Sequence, residues 1–218
     1  MKLLFFKVTG LFLSYLVWTF SIILARSRSW HVWEFDSKIV PIVFIGLWEA
    51  LYFQKFNVSG SIVELPMHSK INSSWVISDE IWYGQDLMLL ANFMMSTVLI
   101  FGSVALWVSQ IKAPYPGFLQ LCYNTAALFL LLSCSCTMIS VSWNFTVEFY
   151  GETTLDFPIT FPVEREMLTK KHFSYVFPLG ITTTVLSLLS ATMFSCETSS
   201  VQHSHSVKCM MRGSYAMI

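Results

Sequence analysis

The chain has 218 residues and no net charge, with 55% apolar and only 12% charged residues. That charged share is about half the usual one for a soluble domain, too little to coat a water-soluble globule of this size, so lipid is the expected cover. Charge neutrality gives no ground for binding nucleic acid or a strongly acidic partner.

The first apolar run, 3–25, is broken only by Lys7, which is expected to snorkel to the membrane interface. Crossing a hydrocarbon core of about 30 Å takes roughly 20 helical residues, so this run can span. A cleaved signal peptide is the rival reading. The run is longer than a signal core, however, and Arg26 and Arg28 follow Ala25 without a clear small-x-small site. A long loop, 26–86, comes next. Trp30-His-Val-Trp-Glu-Phe alternates at period two, as a half-buried strand does. Residues 39–53 are rich in Ile, Val and Phe but too short to span, and they carry Pro41, Gly46 and Glu49; they read as a second strand. Residues 57–61 read as a turn and 61–65 as a third strand.

Two uncharged runs, 87–108 and 118–143, give the second and third spans, separated by a short turn, 109–117, that contains Pro114 and Pro116. Trp82, Tyr83, Trp107 and Trp143 mark their ends as an interfacial belt. The third span carries Ser133, Cys134, Cys136, Thr137 and Ser140, small and polar groups that suit close helix packing. With no charge in either span, an ion site at the midplane has no seat. A second loop, 144–172, leads to the fourth span, 173–194, and a tail, 197–218. No cysteine falls in either long loop, so no disulfide is available there. Cys196, where the fourth run ends, is a candidate palmitoylation site.

Basic residues are tied across the first span, with Lys2 and Lys7 before it and Arg26 and Arg28 after it. Glycosylation sequons break the tie: Asn57 and Asn72 lie in the first long loop, and Asn144 opens the second. They favour lumenal loops and cytoplasmic termini. Asn144 directly follows a span and is expected to sit too near the membrane to be modified.

Trp30-His-Val, then Gly46-Leu47-Trp48, then Ser142-Trp143 and Asp156-Phe157 with Pro158 and Pro162, stand in an order around four spans that resembles the claudins. The paired Trp30 and Trp33 and the longer second loop are similar to a divergent branch of that family. The resemblance implies an all-α membrane bundle of four transmembrane helices with a small extracellular antiparallel β-sheet over 1–196, followed by a cytoplasmic tail. Two departures stand out: Leu51 occupies the place of the first loop cysteine, and the second would fall near Ser61. Losing a small-loop disulfide costs about 2–5 kcal/mol in a secreted domain, a cost that membrane anchoring at both loop ends would limit.

By resemblance, Trp30, Gly46, Leu47 and Trp48 seat the sheet on the helices, with Trp143 closing the third span; the plainer reading makes the tryptophans interfacial anchors. Glu64 is where a claudin places pore-lining charge, and a solvated carboxylate is the simpler alternative. Phe157 and Phe161, with Phe145, Phe149 and Tyr150, are expected as apolar loop tips for contacts between cells. The resemblance thus implies a structural protein of plasma-membrane cell–cell junctions, forming or modulating a paracellular barrier or pore. Its partners would be membrane lipid and itself or other claudins, in cis and trans. An accessory subunit of a channel or receptor is the first alternative, a small transporter the second. The apolar C-terminus at Ile218 suggests a PDZ scaffold as a further partner. His203 and His205 make a poor metal site without further ligands, and no catalytic constellation or cofactor motif is present.

Overall fold

The computed structural model describes residues 2–58, 61–111, 115–151 and 153–215, with side chains described over 5–57, 61–111, 115–151 and 153–199. Four helices carry the apolar runs: α1 (Lys2–Arg26), α2 (Asp79–Gln110), α3 (Pro116–Tyr150) and α4 (Val176–Tyr215). All four are long and apolar enough to cross a membrane, α4 over Val176–Ser199. The chain is a multi-pass membrane protein. At 1.5 Å per residue, α3 outlasts a bilayer core by several turns, so its last residues run on beyond the 118–143 span. The same holds for α2, which starts at Asp79 rather than 87. Both extensions are polar enough to hide from a hydropathy reading.

Five antiparallel strands form one sheet in the order β4-β3-β2-β1-β5. They are β1 (His31–Phe35), β2 (Ile42–Ile45), β3 (Glu49–Val58), β4 (Ser61–Lys70) and β5 (Leu168–His172). The single strand expected over 39–53 is two, folded back on each other at Gly46-Leu47-Trp48. In the expected turn over 57–61, Asn57 and Val58 belong to β3 and Ser61 to β4; residues 59 and 60 lie outside the described set.

The chain divides into two compact units. The first comprises 1–20, 90–136 and 182–218, four helical segments packed around Val17, Met95, Tyr123, Leu130 and Phe194. Small polar residues tie these segments, as the packing argument requires. Ser14 and Ser190 hydroxyls meet at 2.8 Å, Ser190 also donates to the Gly10 carbonyl at 2.8 Å, and Ser133 donates to Ala91 at 3.1 Å. Lys7 is enclosed by the protein itself. It is 8% exposed, donates to Ser109 Oγ at 2.8 Å, and lies 3.6 Å from the carboxylate of Glu197, itself 2% exposed. A buried ammonium needs such a partner, and the partner comes from the segment expected to open the tail, through which α4 runs unbroken.

The second unit comprises 21–89 and 137–181 and holds the whole sheet. One sheet face presents His31, Trp33, Phe35, Val43, Ile45, Ala50 and Tyr52, all buried. Register sets them in rows: Trp33 opposes Val43, which opposes Tyr52, and His31 opposes Ile45, which opposes Ala50. This face and the helical ends of the same unit enclose one hydrophobic core.

Candidate functional site

The Gly46-Leu47-Trp48 turn meets the backbone that leaves α1, at Ser27 and Arg28, at close range. A side chain on Gly46 would place its Cβ 2.5 Å from the Ser27 carbonyl oxygen and 2.9 Å from Arg28 Cα. Only glycine fits so close an approach. Leu47 is fully buried and its carbonyl accepts from Gln85 of α2. The indoles of Trp30 and Trp48 donate to the carbonyls of Leu24 and Ala25, each at 3.0 Å. Those carbonyls belong to the end of a helix, where the regular ladder runs out; Leu24 also accepts the Ser27 amide at 3.1 Å, and the two indoles complete the cap of α1. An Arg28–Glu49 ion pair closes the same corner. Trp30, Gly46, Leu47 and Trp48 therefore converge on one seam. Trp143 lies elsewhere, stacked on Tyr83 with ring centroids 5.5 Å apart.

A second anchor was invisible in the sequence. Glu148, in the extension of α3, receives Trp33 Nε1 on one oxygen and lies against His31 Nδ1 with the other, both at 2.8 Å. Lys171 of β5 stands 3.7 Å from the same carboxylate and 5.5 Å from the centre of the Trp33 ring. Register explains this convergence, since Lys171 is the β5 partner of Trp33. One carboxylate thus joins β1, β5 and α3. Its only sequence signal is an acid five residues past the expected span end, which is no signal at all.

The second loop is held by aromatic edges. Phe157 and Phe161 stack at 4.5 Å, and Trp75, Trp33 and Tyr52 meet them edge-on at 4.8–5.9 Å. Phe161 is 9% exposed and Phe157 is half-buried. These two are core, not contact tips, because burying aromatic area inside the unit outweighs leaving it in water. The large apolar residue left outside between them is Ile159, fully exposed. Phe149 and Tyr150 are exposed as expected, at the end of α3.

Asn144, the sequon expected to go unmodified, is enclosed by the protein itself. It is 3% exposed inside α3, and its amide nitrogen donates to the Glu80 and Ser140 carbonyls at 3.0 and 2.9 Å. Asn57 and Asn72 are exposed. Cys196 is an exposed free thiol on α4. The side chains of His203 and His205 and the C-terminal residues 216–218 lie outside the described set.

Glu64 is half-exposed on β4 and lies 3.3 Å from Lys55, its cross-strand partner. The pair largely cancels the field expected of that acid. The hairpin bearing it is longer than the expected 61–65 strand, because β4 runs to Lys70. Leu51 therefore faces His68, not Ser61, across the ladder, and Ser61 faces Val58. A disulfide between positions 51 and 61 has no place in this register. Beyond Tyr52, β3 has only β4 as a strand partner among the described residues. β4 is an edge strand, open along its outer side among the described residues, with Ile62, Val63, Leu65 and Met67 exposed at 72, 40, 47 and 37%.

No protein-family profile matches the chain, and no curated protein matches it significantly.

Proposed function

We propose that the chain is a claudin-like structural membrane protein of cell–cell contacts, its two long loops outside the cell and both termini in the cytoplasm. Four apolar helices and an antiparallel sheet seated by Trp30 and Gly46-Leu47-Trp48 support the claudin-like reading. The observation that carries the contact function is β4, ten residues of open edge with four exposed apolar side chains. Soluble chains blunt such an edge, because it pairs readily with another strand. This one bears only Pro66, Lys70 and the Lys55–Glu64 pair as blunting devices. Its partner in this reading is a second copy beside it in the same membrane, while Ile159 faces the opposite cell. Because Glu64 is paired, a barrier is favoured over a cation pore.

The test is expression of a tagged chain in cells without junctional strands, mixed with non-expressing cells. Enrichment at borders between two expressing cells, lost in Ile62→Lys/Leu65→Lys at equal surface delivery, is the expected result. Uniform surface staining with a co-purified channel would instead favour the accessory-subunit reading.

A further inference from the structure

The first loop carries two sequons, and the fold treats them differently. Asn72-Ser73-Ser74 follows β4 in a turn closed by the Trp75 amide, which donates to the Asn72 main-chain carbonyl at 3.0 Å. Inside that turn the Asn72 side-chain oxygen accepts twice, from the Ser74 amide at 3.0 Å and from Ser74 Oγ at 2.5 Å. This is an Asx-turn. Asn72, Ser73 and Ser74 are exposed while Trp75 is buried, so the turn is pinned to the core with its sequon outward. Asn72 Nδ2 has no partner among the described residues.

Asn57 is the contrast. It and Val58 lie extended at the end of β3, laddered to Ile62 and Ser61 of β4. Residues two apart in a strand stand about 6.6 Å from each other, so an extended backbone does not make the bend that brings a hydroxyl onto the asparagine oxygen. The bonds around Asn72 are all local, and that turn forms in a chain still emerging into the lumen, before the sheet exists.

Given the lumenal first loop of the reading above, on which this rests, we propose that the chain carries one N-linked glycan, on Asn72, and that Asn57 stays bare. The co-reactants are an oligosaccharide carried on a lipid diphosphate and the lumenal transferase that uses it. Two hydrogen bonds onto the amide oxygen draw electron density from the nitrogen and make its protons easier to lose. Nδ2 gives one proton to a base of the transferase, and the electron pair left on it forms the bond to the anomeric carbon. The bond from that carbon to the diphosphate oxygen breaks, and the lipid diphosphate leaves with that pair. Position matters for contact. The Ile71 amide donates to the Trp48 carbonyl at 3.0 Å, so the glycan is rooted at the base of the hairpin, beside the seam. From Lys70 back to Ile62 is about 26 Å at strand rise, and the exposed end of β4 stays open. Asn57 is the cross-strand partner of Ile62, so a glycan there would stand over that same edge.

The experiment follows the gel mobility of the full chain, expressed in cultured animal cells, with and without an amide-cleaving glycosidase. One glycosidase-sensitive step is expected in the parent, lost in Asn72→Gln and Ser74→Ala and kept in Ser74→Thr and Asn57→Gln. Two steps, one step lost with Asn57→Gln, or no step would each overturn the proposal. Ile62→Cys with an impermeant maleimide, in the same intact cells, separates the two ways of finding no step. Labelling from outside with Asn72 bare sinks the glycan and leaves the contact reading standing. Labelling only after permeabilisation sinks both.

Discussion

Replacing Glu148 by alanine removes the shared acceptor of two side chains that are both fully buried, His31 and Trp33. Each buried donor left unmatched costs about 1–3 kcal/mol, so about 2–6 kcal/mol together. Lys171 also loses its counter-charge, but it is a quarter exposed and water screens it, so its share is small. For a chain of this length, about 2–4 °C of melting temperature goes with each kcal/mol, which predicts a fall of about 4–24 °C. Glu148→Gln keeps one oxygen for the Trp33 indole and offers its amide to His31 Nδ1, so it should lose less than half as much. Thermal unfolding of the purified protein in mild detergent, followed by near-UV circular dichroism and tryptophan emission, reads both. If alanine melted within about 2 °C of the parent, or glutamine were as damaging as alanine, Glu148 would not be the anchor described.

Gly46→Ala should be destabilising by about 1–3 kcal/mol or more, since the clash is with backbone atoms of Ser27 and Arg28 that no rotamer can move; reduced surface delivery and a lower melting midpoint are the readouts. Phe161→Ala should lower stability by about 3–5 kcal/mol, whereas Ile159→Ala should leave melting unchanged and weaken only contact-zone enrichment. Lys7→Met strands the buried Glu197 and should cost about 3–5 kcal/mol, and adding Glu197→Leu should recover most of it. A double-mutant thermal series decides this, and simple additivity of the two changes would contradict the buried pair.

The four helices were legible because each carries an apolar run long enough to span, and β1 because its short run of Val32, Trp33 and Phe35 around Glu34 suits a half-buried strand. The ends of α2 and α3 were not. Glu80, Asn144 and Glu148 read as loop residues, and only their partners in the folded chain make them helical interior. The β2–β3 fold-back escaped notice because Gly46-Leu47-Trp48 turns inside an apolar stretch. Leu-Thr-Lys-Lys-His of β5 has no strand pattern; it is an edge held by pairing to β1, with Lys170 and Lys171 on it as edge strands tolerate. Exposure of Phe157 and Phe161 was misjudged because a loop aromatic looks the same in sequence whether it points outward or into Trp75. The seam residues were legible through the resemblance, while Glu148 needed the register of three elements at once.

Everything proposed for contact depends on β4 and the second loop lying outside the cell, and single-cysteine labelling tests that most directly. Ile62→Cys and Ile159→Cys each place a thiol at a fully or largely exposed position. The native cysteines fall on the helices or at the far end of α4, away from both loops. An impermeant maleimide should label both variants in intact cells and leave the parent chain unlabelled. Labelling of the two variants only after permeabilisation would put the sheet in the cytoplasm and contradict the account.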